Sequence, residues 1–237
     1  SMTLAKAAVL ALGEGAVAVT AKSELLAREE ARGAATGARE IGIRQVVLPA
    51  GDLSYPEVAQ NDRKRCYYCK KYRFQKMLEW ARSQGIDYVA DGSNLDDAGD
   101  YRPGMRAVKE LGIVSPLAQC GFTKADIRQL ARSWDIPIWD KPSTACLASR
   151  VAYGIELTPE RLERIDQAEE FLRGLGAKGQ LRVRDHGDLA RIEAGEEALP
   201  VLLPHRQAIA ARLKKLGFAY VTLDMQGYRM GSQNEVL

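Results

Sequence analysis

Ala16-Val17-Ala18-Val19-Thr20, then a polar stretch from Ser23 to about Gly42, then Gln45-Val46-Val47-Leu48-Pro49 read as strand, helix and strand. Both strands are apolar runs, as in a parallel sheet covered on each side. Arg28, Glu29, Glu30 and Arg32 mark the wet side of the helix, and Ser23 stands where an N-cap would. The alternation extends outward. Residues 3–12 read as a helix stopped by Gly13 to Gly15, Lys70 to Gln84 as a helix, and Asp87 to Gly92 as a strand ending in turn residues. Thr123 to Trp134 reads as a helix whose Asp126 completes an approximate capping box. Strands alternating with helices predict an α/β fold with a doubly wound parallel sheet. Thr158-Pro159-Glu160 then starts a helix to about Leu172. Gln180 to Asp185 and Leu189 to Glu193 read as a hairpin, Pro204 to Leu216 as a helix and Ala219 to Asp224 as a strand. This tail predicts a smaller C-terminal α+β domain. With the boundary at 150–158, the domains are 1–152 and 153–237.

The 237 residues suffice for one large domain or two modest ones. With 46% hydrophobic and 27% charged residues, the composition excludes a disordered, collagen-like or disulfide-scaffold chain. Lys+Arg 34 against Asp+Glu 31 leaves +3, too small an excess to argue for a nucleic-acid partner. No run approaches the roughly 18 apolar residues of a membrane helix. Residues 1–6 lack the basic start of a signal peptide. Four cysteines are too few for a secreted framework, so a cytoplasmic protein with no membrane partner is expected.

Cys66-Tyr67-Tyr68-Cys69 is the sharpest local feature. A turn there would let two thiolates converge on one soft metal. Two sulfurs do not complete a site. The other candidates are Cys120 and Cys146, with His186 and His205 as the only histidines. Spacing alone leaves four readings open: an iron–sulfur cluster on three cysteines with one open iron, zinc, a redox dithiol, or plain structural cysteines. Cys120 reads as a small buried hydrophobe. Asp91-Gly92-Ser93-Asn94-Leu95-Asp96-Asp97 follows an apolar strand, where doubly wound sheets bind ligands. Its acids suit magnesium or a ribose, and a solvated turn is the alternative. In Asp100-Tyr101-Arg102-Pro103-Gly104 the arginine suits phosphate or carboxylate. In Leu181-Arg182-Val183-Arg184 the alternation puts both arginines on one face, where they repel unless an anion lies between them. Arg191 and Glu193 share one face of the next strand, and a solvated sheet face is the plainer reading. Arg150 and Arg229 are further candidates for the same anion site.

Together these segments resemble the LarE family: PP-loop (Rossmann-like) ATP pyrophosphatases that act as ATP-dependent sulfur transferases in nickel-pincer nucleotide cofactor biosynthesis. The resemblance covers essentially the whole chain. It rests on Ala18 to Leu25, Asp100 to Gly104, Cys146 to Gly154, Arg182-Val183-Arg184 with Ala190 to Glu193, and Tyr220 through Arg229. The family's phosphate loop, S-G-G-x-D-S, precedes the first helix. Ser1 matches its last serine, so the sequence reads as a trimmed copy in which Ser1 would contribute to binding ATP.

By resemblance, Cys146 takes the place of the family's reactive sulfur, which some members sacrifice and leave as dehydroalanine. Cys66 and Cys69 place this chain with the members whose three thiolates hold a 4Fe-4S cluster. Arg182, Arg184 and Arg229, with Glu193, match the family's substrate-phosphate and metal site, and Arg150 joins them. The implied substrates are ATP with Mg2+ and pyridinium-3,5-biscarboxylic acid mononucleotide. A homo-oligomer and other cofactor-assembly enzymes are the implied partners. The rival readings are a tRNA thiolation enzyme of the same superfamily, an amidotransferase-type pyrophosphatase such as a nicotinamide dinucleotide synthetase, and a zinc-stabilised nucleotide-binding scaffold.

Overall fold

The computed structural model describes residues 2–99, 103–137, 139–141 and 144–232. The candidates Ser1, Asp100, Tyr101 and Arg102 lie outside them. The chain is mixed α/β. It divides into two compact units, one within 1–23, 28–52 and 64–143, the other within 24–27, 53–63 and 144–237.

In the first unit, α1 (Met2–Leu12), β1 (Val17–Lys22), α2 (Arg28–Ile41) and β2 (Arg44–Pro49) follow the expected order. β1 and β2 pair in parallel, with Val17 opposite Arg44 and Lys22 opposite Pro49. Ala16, Ala38, Ile41 and Ile43 are buried beneath α1. α2 begins at Arg28, not Ser23, and the Ser23 Oγ instead accepts a hydrogen bond from Arg73 (3.0 Å). After α3 (Pro56–Ala59), which falls in the second unit, α4 spans Arg65–Ser83. It starts five residues earlier than Lys70, so the C-x-x-C lies in a helix rather than a turn. No Gly or Pro interrupts 65–69, and cysteine and tyrosine cost a helix only a few tenths of a kcal/mol, about what tertiary packing overrides.

α5 (Pro103–Glu110), α6 (Pro116–Gln119) and α7 (Lys124–Ser133) complete this unit. A Thr123–Asp126 capping box, with both reciprocal hydrogen bonds, starts α7. The strand expected over 87–92 is reduced to a single parallel bridge, Ala90 to Val114. Only Val89 and Ala90 are apolar there beside Tyr88, and the Asp91 carboxylate turns the chain by accepting the Ser93 N–H (3.1 Å). Cys120, read as buried, is exposed: it caps α6 before the turn at Gly121.

In the second unit, α8 (Pro159–Gly174) starts with Pro159 and the Thr158 Oγ1, which accepts the Arg161 N–H (3.2 Å). β3 (Leu181–Asp185) and β4 (Leu189–Ala194) form the expected antiparallel hairpin. After α9 (Leu199–Leu202) and α10 (Arg206–Lys215), β5 (Tyr220–Leu223) pairs in parallel with β4. Leu172, Leu181, Val183, Ile192, Leu213 and Phe218 form the core between helices and sheet. Among the described residues no helix is long and apolar enough to cross a membrane.

Candidate functional site

β3 is buried on both faces, so of the two readings of its arginines the solvated sheet face does not hold. Leu181 and Val183 go to the core, while Arg182 and Arg184 lie on the other side and are also covered. The register sets Arg182 opposite Glu193 and Arg184 opposite Arg191. Glu193 has no exposed surface. Its Oε2 accepts Arg184 Nε and Nη2 (2.9 and 2.7 Å), and its Oε1 accepts Arg191 Nη2 and the Ser232 Oγ (both 2.9 Å). A buried carboxylate with four donors offsets the cost of burying its cations. The arginine pair therefore needs no external anion at Arg184, and in this arrangement a metal would reach Glu193 only by displacing one of these four donors.

Arg182 differs. It is 5% exposed, yet among the described residues no carboxylate lies within ion-pair distance of it. Its Nη1 donates to the Leu181 carbonyl (2.6 Å), and its guanidinium lies 5.4 Å from the Tyr228 ring centroid. Burial, then the charge of Arg150, pulls its pKa below the ordinary arginine value. That arrangement favours an incoming anion. Gly227 makes Tyr228's position reachable: its φ is +66°, and an added Cβ would lie 2.8 Å from the Ala194 carbonyl oxygen. Arg229 and Arg191 both face Asp224, at 4.0 and 3.6 Å.

Cys146 is half-buried and caps the short helical turn 147–150, and its unit is the one that holds these arginines. The Ser149 carbonyl accepts Arg184 Nη1 (2.8 Å), and Val151 bridges Asp185, so the cysteine turn is tied to β3. Arg150 is 1% exposed and pairs through Nε and Nη2 with Glu169 of α8 (3.0 and 3.2 Å). Sequence reasoning missed Glu169. The available signal was an acid within the apolar stripe Leu162, Ile165, Ala168 and Leu172, all buried on the same helix.

Cys66 and Cys69 belong to the other unit, three residues apart on one face of α4. The Cys66 Sγ is 3.7 Å from Arg65 Nη2, and the Cys69 thiol faces Asp52 Oδ1 at 3.6 Å. Asp52 is fully buried and held by Arg73 through Nε and Nη2. Gly104 lets α5 approach this turn, because a Cβ there would meet the Lys70 side chain and lie 3.3 Å from the Cys66 carbonyl oxygen. Burial pushes the Asp91 carboxyl up, but hydrogen bonds from Ser93 and Ser115 and the Lys70 charge outweigh it, so its pKa is lowered. Within either unit, among the described residues, no three His, Cys, Asp or Glu side chains gather as a metal site. Cys66 and Cys69 fit a cluster in chemical kind, as two soft donors on one face of α4, and two thiols alone do not complete one.

No family model matches the chain. It is 36% identical over 238 residues to the pyridinium-3,5-bisthiocarboxylic acid mononucleotide synthase of Lactiplantibacillus plantarum, covering all of this chain and 86% of that protein. It is 41% identical over 239 residues to the uncharacterized protein slr1717 of Synechocystis sp., covering 100% and 89%. The uncharacterized protein MJ0830 of Methanocaldococcus jannaschii is 36% identical over 177 residues, 75% of this chain and 69% of that protein.

Proposed function

The chain belongs to the family of the pyridinium-3,5-bisthiocarboxylic acid mononucleotide synthase, and from that premise we propose that it is an ATP-dependent sulfurtransferase. It converts a carboxylate of pyridinium-3,5-biscarboxylic acid mononucleotide to a thiocarboxylate. The observation that carries this reading is the joining of the Cys146 turn to the strand of Arg182 and Arg184 through one buried network. A nucleophilic sulfur and an arginine without a carboxylate partner suit an anionic acyl acceptor.

In this reading the first unit is a PP-loop, doubly wound domain that binds ATP, with Ser1 at the end of the phosphate loop. The substrate carboxylate attacks the α-phosphorus of ATP, the bond to pyrophosphate breaks, and an acyl-adenylate results. Carboxylate oxygen is a poor leaving group, whereas AMP is a good one. Mg2+ would offset phosphate charge as these anions meet. Arg182, with Arg229, holds the mononucleotide phosphate, while Arg184, Arg150 and Glu193 fix the frame around it. The sulfur nucleophile then forms the C–S bond and AMP departs.

Cys66, Cys69 and Cys146 are the ligands proposed for a 4Fe-4S cluster, which when bound supplies an open iron to carry sulfide. Sacrifice of the Cys146 sulfur is the alternative. A homo-oligomer acting beside other cofactor-assembly enzymes completes the proposal.

Protein incubated with ATP and the dicarboxylate mononucleotide should release AMP and pyrophosphate and yield the thiocarboxylate by mass spectrometry. ATP consumption with tRNA and none with the mononucleotide overturns the substrate assignment in favour of tRNA thiolation. Anaerobically purified protein should contain iron and labile sulfide, both lost in Cys66→Ala and Cys69→Ala. Unchanged iron and sulfide in those variants removes the cluster, and loss of one hydrogen sulfide mass from Cys146 after turnover establishes sacrifice.

A further inference from the structure

We propose that Glu169 is a positioning residue for Cys146, acting through Arg150; this rests on the reading of Cys146 as the sulfur-bearing group. The Arg150 guanidinium has two working edges. Its Nε and Nη2 lie on the two oxygens of Glu169 (3.0 and 3.2 Å). Its Nη1 donates to the carbonyls of Ala145 and Cys146, the latter at 2.9 Å, and reaches the Ser149 Oγ at 3.2 Å. A guanidinium is planar and rigid, so fixing one edge aims the other. The Ser149 Oγ also donates to the Cys146 carbonyl (2.7 Å) and the Ser149 N–H does the same (3.0 Å). The Cys146 peptide is therefore clamped at its oxygen while its side chain stays half-exposed. That combination holds a sulfur in place and leaves it reachable.

Glu169 does a second thing. Its Oε1 accepts the Val183 N–H (3.1 Å), between Arg182 and Arg184. One buried carboxylate thus sets the distance between the cysteine turn and the arginine strand. An ion pair serving the fold alone would have no need to direct its remaining nitrogen at the cysteine's own backbone. Without the carboxylate, Arg150 becomes a buried cation with no counter-charge, and its grip on residues 145 and 146 loosens.

Glu169→Gln keeps the size of the side chain and an oxygen for Val183, removes the charge, and turns an amide donor toward Arg150 Nη2 in place of the carboxylate oxygen. The readout is the rate at which iodoacetamide alkylates Cys146 relative to Cys120 in the same molecule, resolved by peptide mass. The ratio should rise several-fold in Glu169→Gln. In turnover, kcat should fall about tenfold or more while KM for the mononucleotide changes little, because a displaced nucleophile loses orientation rather than substrate affinity. Arg150→Lys keeps a charge against Glu169 but lacks the second edge. It should raise the same ratio, and it decides the matter if Glu169→Gln does not fold. An unchanged ratio in a folded variant overturns the proposal, as does a rise at Cys146 matched by an equal rise at Cys66. If the wild type makes no thiocarboxylate, the sulfur-transfer reading fails while the alkylation ratio still decides the role of Glu169.

Discussion

At the start of α4, Cys66 is exposed and its sulfur lies 3.7 Å from a guanidinium, whereas on β4 Glu193 has no exposed surface and takes four donors. The two regions carry different chemistry and are built differently. The β3–β4 face is a preorganised charge frame in which acids and bases answer each other, apart from Arg182. The α4 start presents soft donors at a surface, on a helix fixed elsewhere by Arg73–Asp52 and Lys76–Ala50. A frame of buried charges holds geometry and resists change. A thiol at the surface can react without unfolding the helix that carries it.

The largest expected effect breaks the frame. Glu193→Ala strips Arg184 of its carboxylate and leaves Arg191 only the longer contact to Asp224, and should cost about 3–5 kcal/mol in urea unfolding. A loss under about 1 kcal/mol would show that the face is solvated and not a frame. Next, Gly227→Ala forces a left-handed φ and a 2.8 Å approach to Ala194. It should cost about 1–3 kcal/mol and weaken mononucleotide binding through Tyr228 and Arg182. Arg182→Met removes a buried cation that, among the described residues, has no carboxylate within ion-pair distance. It should raise stability by about 1 kcal/mol while mononucleotide binding drops at least about tenfold, the opposite signs expected of a site kept for a ligand. Calorimetry and titration on the same sample test both halves.

Asp91 sharpens the contrast by pH. Its folded pKa lies below the unfolded value of about 3.9, so its contribution to stability is present above about pH 4 and disappears as pH falls through the folded pKa. Asp91→Asn should therefore be less stable than wild type at pH 7, with the gap closing in acid; a gap independent of pH would remove the charge from the explanation. Smallest of all, Cys66→Ser should leave stability within about 0.5 kcal/mol while iron content falls.

Legibility in the sequence followed the same division. β1, β2 and the β3–β4 hairpin are readable because apolar runs and strict alternation mark strands, although β1 and β2 stay half-buried or exposed where β3 is fully buried. α7 and α8 are readable because Thr123 and Thr158 are caps with Pro159 or Asp126 in support. The start of α4 was not, since Arg65 to Cys69 carries no cap signal: Lys64 makes no side-chain cap bond. Asp87 to Gly92 looked like a strand because its few apolar residues hid that Asp91 is committed to Ser93 and Ser115. In the candidate site, alternation put Arg182 and Arg184 on one face, but only the register with β4 separates the arginine neutralised by Glu193 from the one with no carboxylate within ion-pair distance among the described residues. Glu169 was hidden beside Glu170, and only its spacing of four from Ile165 and three from Leu172 marks it as the acid turned inward.

Asn61 shows how far apart in sequence the pieces of the second unit lie. Its side-chain amide donates to the carbonyls of Val151, Ala152 and Ile155 (3.4, 2.9 and 3.0 Å), and Leu25 accepts the Leu147 N–H (2.9 Å). Residues 24–27 and 53–63 are therefore structural parts of the segment that follows Cys146. A laboratory wishing to express 153–237 as an independent fragment would discard the amide that closes its entry loop. Dissecting this enzyme calls for point substitutions, because the two units alternate along the chain and no single cut separates them.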